Sequence, residues 1–197
     1  MLSASWVALF KLHRKIYRVL SPIICYMYST GSQINLHKTL LIGFPYLSGK
    51  ITIQDGGILV SLINGNELGV ISPCRFTALN GRIIIGKNFQ ASGLCIFSNS
   101  AVTIGDNVMT GANCTIIDDD MHPVGYLARL NNCDRSSTKP INIEDNVWLG
   151  SNVTVLKGVT IGARSVVGSG VVLRRSIPPD TMIYHSNSQL THKQILS

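Results

Sequence analysis

From Ile143 onward the chain repeats every six residues, with an aliphatic residue opening each unit and a small or β-branched residue four places later. The units run Ile143–Trp148, Leu149–Thr154, Val155–Thr160, Ile161–Val166 and Val167–Val172. Ile85–Gln90, Ile104–Met109 and Thr110–Thr115 share the form. One six supplies a short strand and a turn, with its opener pointing to one side. Three sixes closing into a triangular coil stack those openers into an apolar column, each coil resting on the last at about 4.8 Å. Gly and Asn in the turn slots tolerate the positive φ that tight corners require. The predicted fold is therefore all-β, built from many short parallel strands. The step from Ile85 to Ile104 is 19 residues, three sixes plus one, so a single residue bulges there.

Three stretches depart from this period. Residues 34–84 carry it loosely. Residues 118–142 lack it altogether, and a loop longer than the about 12–15 residues of ordinary connections must protrude sideways from such a fold, where it can reach a neighbouring subunit. Ser5 to Tyr28 reads as a helix: Trp6, Leu9, Phe10, Ile16, Tyr17 and Leu20 recur at helical spacing, and Lys11, Arg14, Lys15 and Arg18 take the other face. Pro22 breaks or kinks it. The resulting division is an N-terminal amphipathic helical segment (1–33), a β-helix domain (34–184, with the loop 118–142) and a C-terminal tail (185–197).

Composition narrows the reading. A chain of 197 residues that is 45% hydrophobic and 14% charged makes one domain with a real core and is not disordered. Net charge is +7, but residues 1–50 carry six basic side chains and no acid, so the remainder is near neutral. That distribution argues against a nucleic-acid surface. It leaves the N-terminal helix two roles, a cap over the end of the coil or a peripheral contact with an anionic membrane surface. Five cysteines without a CxxC pair suggest neither a disulfide framework nor a zinc site. With no signal-peptide pattern and no transmembrane-length apolar run, the expected place is the cytoplasm, with the inner membrane face as an option.

Ile104-Gly-Asp-Asn-Val through His122-Pro123-Val124, then Asp145-Asn-Val-Trp-Leu-Gly-Ser151 through Lys157-Gly-Val-Thr-Ile-Gly162 to Ile177-Pro-Pro179, resemble the hexapeptide-repeat acyltransferases, particularly galactoside and maltose acetyltransferases and glycan O-acetyltransferases. The resemblance covers about residues 83–182. It implies a left-handed parallel β-helix, a homotrimer, acetyl-CoA as acyl donor and a saccharide hydroxyl as acceptor. It makes His122 the general base, since an imidazole with a pKa near ~6.5 suits proton removal at neutral pH. Asn113 matches a polar residue at the acyl-transfer end of the groove and is equally a turn Asn. Trp148 matches a Trp beside the coenzyme, or packs against another subunit.

Ser151 and Ser169 lie 18 residues apart and stack on one edge beside Gly150 and Gly168, a shallow rail suited to the pantetheine arm. Arg174 and Arg175 follow the last good coil, where the resembled enzymes place basic residues near the coenzyme phosphates; guanidinium forks suit phosphate oxygens, and solvated surface charge is the alternative. Asp118, Asp119 and Asp120 read as a solvated acidic turn, with orientation of the imidazole or contact with the acceptor as the alternative. After the Pro-Pro turn the chain departs from the family pattern, reading His185-Ser-Asn-Ser-Gln189.

The expected function is acetyl-CoA-dependent O-acetylation of a saccharide in cell-surface polysaccharide synthesis. An N-acetyltransferase of an amino-sugar nucleotide and a noncatalytic β-helix scaffold remain as alternatives. Gly81–Asn88 nearly spells a P-loop, but Asn stands where magnesium needs Ser or Thr, and three consecutive Ile argue strand. Cys114 occupies a slot used by Val and reads as buried, not nucleophilic. The histidines lack the repeat-spaced pair a zinc site in the coils would need, so no metal is expected.

Overall fold

The computed structural model describes residues 33–43, 45–62, 66–131, 137–186 and 189–194. The helical reading of residues 5–28, and Cys25 and Cys133, lie outside the described residues. The described chain forms a left-handed parallel β-helix of six coils, each crossing three faces in turn.

The first face carries β1 (Ile34–Leu36), the second β2 (Leu40–Ile42), and the third the start of β3 (Tyr46–Ile53). The long β3 turns the corner and opens the next coil, followed by β4 (Ile58–Val60) and the start of β5 (Arg75–Ile85), which turns a corner likewise. β6 (Gln90–Ser92) and β7 (Cys95–Ser98) complete the third coil, and β8 (Ala101–Ile104), β9 (Met109–Ala112) and β10 (Thr115–Ile117) make the fourth. The fifth is β11 (Ile141–Ile143), β12 (Trp148–Leu149) and β13 (Thr154–Leu156); the sixth is β14 (Thr160–Ile161), β15 (Val166–Val167) and β16 (Val172–Leu173). Because β3 and β5 pair along both their halves, the first and third faces form one continuous sheet, and the second face forms the other.

The openers point inward as the period demands. Ile85, Ile104, Ile143 and Ile161 stack in register on the first face, Leu149 and Val167 on the second, and Ile96, Ile116, Val155 and Leu173 on the third, all buried. Each such side chain contributes about 1.5–3 kcal/mol by leaving water. Asn88, Asn107 and Asn146 turn the corner between first and second faces with φ near +57° (56, 56 and 58), and their amides hydrogen-bond from coil to coil at 2.9 and 3.2 Å. Between second and third faces the corner residues are Gly93, Asn113, Asn152 and Gly170, again at positive φ. The extra residue of the Ile85 to Ile104 step sits in a coil whose register with the next shifts between Gln90 and Ser92.

Two elements were not foreseen. Ile53 pairs with Ile85, a step of 32 residues, so the loosely patterned region holds an insertion between β4 and β5. The tail reading at 185–197 meets an antiparallel hairpin: β17 (Thr181–Ser186) continues the second face and β18 (Gln189–Gln194) pairs back on it. The near-P-loop stretch is strand through Ile85 followed by a turn.

Candidate active site

The long loop leaves the coil at the corner between the third and first faces, after β10, and returns at β11. Its base is a small polar core. Asp118 is fully buried, and its carboxylate accepts hydrogen bonds from Ser98 Oγ (2.8 Å), Asn99 N (2.7 Å) and Ser100 N (3.0 Å). The Asp119 carboxylate, also buried, accepts from Asn99 Nδ2 at 2.7 Å and from Met121 N at 2.5 Å. The two ends are zipped together: Thr138 Oγ1 and Lys139 N both donate to Asp118 O, and Lys157 Nζ reaches Asp120 Oδ2 and Ser137 O. The expectation of a solvated acidic turn is thus corrected for Asp118 and Asp119. A buried carboxylate persists only with its lone pairs satisfied, and here backbone N–H groups of the neighbouring corner do so.

This base aims His122. Met121 adopts φ +64°, uncommon for a side-chain-bearing residue, and the Asp119 bond to its N–H holds it there. His122 follows, exposed, at the head of the loop. Arg129 in α1 (Tyr126–Leu130) donates from Nη1 to Pro123 O and Val124 O, fixing the turn just beyond the histidine. Val124, Tyr126, Leu127 and Leu130 are exposed, so the loop presents an apolar surface away from its own coil.

The rail lies on a different edge, between second and third faces. Ser151 N donates to Ser169 Oγ at 3.1 Å, which places the two serines one above the other as their spacing predicts. A Cβ on Gly150 would stand 2.7 Å from Ser169 N, so glycine is what lets the coils close there. The rail is narrower than expected. Gly150 is buried, its N–H donates to Val167 O, and its carbonyl accepts from Cys114 Sγ at 3.0 Å. Of the two serines Ser169 is exposed and Ser151 half-buried, and the Ser169 hydroxyl oxygen already accepts the Ser151 N–H. Burial pushes the Cys114 thiol up to about 11, so it is a neutral packing group.

Asn113 sits on the rail's edge one coil earlier, with its amide already engaged. Its Oδ1 accepts from Ile71 N at 2.8 Å and its Nδ2 donates to Gly69 O at 3.2 Å, clasping the insertion that follows β4. Asn66 Nδ2 anchors the same insertion to Ser92 Oγ. This second loop at the head of the rail escaped the sequence reading. Its signal was the 29-residue step from Tyr46 to Arg75, eleven more than the eighteen of a regular coil such as Val155 to Leu173; the further three residues of the Ile53 to Ile85 step lie at the corner within β5, where the register shifts between Ser48 and Lys50.

Trp148 opens β12 on the outer side of the second face, beside Met109 and Val166 in register, and not in a turn slot. Both Trp148 and Met109 are about half exposed, at 53% and 48%. Arg174 and Arg175 follow β16 and lie exposed on the edge from which the long loop emerges, not on the rail's edge. The fold therefore gathers Gly150, Ser151, Gly168, Ser169 and Asn113 on one edge, and His122, Arg174 and Arg175 on another.

Comparison with known proteins agrees with the coil. The family described as bacterial transferase hexapeptide (six repeats) matches residues 140–175, and the hexapeptide repeat of succinyl-transferase matches 101–117. The galactoside O-acetyltransferase of Escherichia coli is 39% identical over 147 residues, covering 74% of this chain and 71% of that protein. An acetyltransferase of Schizosaccharomyces pombe is 45% identical over 112 residues, and the chain spans about half (51%) of its length. Among solved structures, a hexapeptide-repeat acetyltransferase of Vibrio cholerae complexed with acetyl coenzyme A superposes with a TM-score of 0.51 at 32% identity, over 58% of this chain and 61% of that one. Sharing this coil and more than two thirds of a relative's length, the chain belongs to the hexapeptide-repeat acetyltransferase family.

Proposed function

We propose that the protein is an acetyl-CoA-dependent O-acetyltransferase of saccharides, working as a homotrimer with its active sites between chains. The observation that carries this reading is the separation of edges: the loop bearing His122 leaves one edge of the prism while the Ser151/Ser169 rail occupies another. A cyclic trimer brings the loop edge of one chain to the rail edge of the next. The exposed apolar side chains of the loop and of the second face supply contact surface for that assembly.

In such a site His122 removes the proton of a sugar hydroxyl as its oxygen attacks the thioester carbonyl. The negative charge on the carbonyl oxygen is met by a preorganised backbone N–H donor on the coil facing the loop. Collapse expels the coenzyme thiolate, which regains a proton from the imidazolium, leaving an acetyl ester and a free thiol. No acyl-enzyme is needed, and the buried, neutral Cys114 offers none. Trp148, Ser151, Gly168 and Ser169 line the coenzyme arm, Gly150 serves it only by letting the coils close beneath the serines, and Arg174 and Arg175 of the loop-bearing edge take its phosphates. Asn113 acts on the acceptor through the insertion it clasps.

The galactoside O-acetyltransferase relative supports a sugar hydroxyl as acceptor. A step in cell-surface polysaccharide synthesis on the cytoplasmic side of a membrane rests on that acceptor class and on the basic amphipathic pattern of residues 5–28. Domain 34–184 is the catalytic unit in this assignment. The test is a thiol-release assay with acetyl-CoA against sugars, oligosaccharides and amino-sugar nucleotides. An acetyl ester equimolar with released thiol is expected, and His122→Ala should slow its formation about 10²–10⁴-fold. An amide product made on an amino-sugar nucleotide, with no ester on any acceptor, would refute the reading.

A further inference from the structure

Lys50 and Arg82 stand directly opposite each other in the parallel pairing of β3 and β5, both exposed on the outer side of the first face. Like charges in register repel at the about 4.8 Å separation of paired strands. Among the described residues neither has an ion-pair partner, whereas Lys38, Lys157 and Arg164 each face an aspartate, and Arg75 lies over the Tyr46 ring at 4.8 Å. The next residue down the same column is Ala101, so no carboxylate follows below.

The two cations border an open cavity of about 500 Å³ on the first coils. Gln33, Asn35 and Thr52 line it with amide and hydroxyl groups, and Ile84 adds a half-exposed apolar surface. This combination suits a sugar ring bearing an acid: hydroxyls for the amides and threonine, a C–H face for isoleucine, an anionic group between two cations. A nucleic acid would call for aromatic stacking, and the cavity has no aromatic lining. The position matters as much as the chemistry. Lys50 and Arg82 follow the corner between third and first faces, the same edge from which the His122 loop emerges two coil steps beyond Arg82, about 10 Å along the axis.

We propose that this cavity is an acceptor subsite for an acidic saccharide, binding a carboxylate- or phosphate-bearing sugar unit while a neighbouring unit of the same chain reaches His122. The proposal rests on the O-acetyltransferase reading for its second clause only; binding at the cavity stands apart from catalysis.

The experiment is direct titration, by calorimetry, of the full-length protein with oligogalacturonate, a neutral galacto-oligosaccharide of equal length, inorganic phosphate and a single-stranded oligonucleotide, repeated with Lys50→Gln/Arg82→Gln and with Lys50→Glu. The acidic oligosaccharide should bind at least about tenfold more tightly than the neutral one, and lose about that factor in the double variant. Its affinity should fall as salt rises from about 50 to about 200 mM, and the double variant should lose that dependence. Equal binding of acidic and neutral sugars, unchanged affinity in both variants, phosphate alone binding as tightly, or tighter binding of the oligonucleotide would each overturn the proposal. Because the readout is binding, a protein that acetylates nothing would defeat the enzymatic reading and leave this result to be judged by itself.

Discussion

Asp118→Ala tests how the coil aims the loop. In the native chain the carboxylate accepts from Ser98 Oγ, Asn99 N and Ser100 N. Ser98 Oγ has a second acceptor in Arg82 O at 3.2 Å, so its proton keeps a partner after the substitution. The two backbone N–H groups do not. Orphaned donors cost about 1–3 kcal/mol each, and this corner is only partly buried, so water softens the loss to about 2–4 kcal/mol in total. For a chain of this length that lowers Tm by roughly 4–16 °C. Asp118→Asn keeps one acceptor oxygen for Asn99 N but turns an amide N–H₂ toward Ser100 N, so about half the loss remains. Thermal melting by circular dichroism measures both, and acetyl transfer should fall in the order wild type, Asn, Ala, since the carbonyl of Asp118 also ties the returning strand at Thr138 and Lys139. An alanine variant melting within about 2 °C of wild type would show that the carboxylate carries no structural role.

Among the described residues Thr110 Oγ1 is buried without a hydrogen-bond partner, in the inward column of the second face, so the isosteric Thr110→Val should raise stability by about 1 kcal/mol in a urea titration. Cys114, raised to about 11 from an ordinary 9.0, should resist thiol reagents at neutral pH until unfolding exposes it. Because the folded-state value is the higher one, the stability linked to this thiol is complete below pH 9 and is lost as pH rises from about 9 through 11, readable as a fall in Tm that Cys114→Val reduces, with the thiols of Cys74 and Cys95, also pushed up by burial, carrying the remainder. Asn113→Gly keeps the left-handed corner but releases Gly69 and Ile71; amide exchange in residues 66–73 should accelerate while the coils below stay protected.

What the sequence made legible follows from periodicity. Openers such as Ile143, Leu149 and Val155 fix the inward column wherever sixes run in register, and the same arithmetic stacks Ser151 on Ser169. Three things stay hidden from it. Residues in an insertion have no period, so the clasp of Asn113 on Gly69–Ile71 joins positions more than forty residues apart that no local pattern links. Burial of a charge is equally silent: Asp118, Asp119 and Asp120 look alike in sequence, yet the first two are buried by the corner at Ser98–Ser100 and the third pairs with Lys157. Arg174 and Arg175 show a third limit. Counting residues past the last coil locates them along the axis, but only the strand pairings reveal which edge they occupy.

The most direct test of the shared site is complementation between two inactive chains. His122→Ala removes the base from the loop edge, and Ser169→Tyr fills the rail edge with a bulky ring at an exposed position. Each homogeneous protein should be inactive in acetyl transfer. Co-refolded in equal amounts, the two chains meet in random order, and a site is whole only where an intact loop faces an intact rail, which holds for about a quarter of the interfaces of a cyclic assembly. Recovery of roughly a quarter of wild-type activity is the predicted result. No activity in the mixture, with mixed oligomers confirmed by native mass spectrometry, would contradict the account, because base and rail would then have to come from one chain.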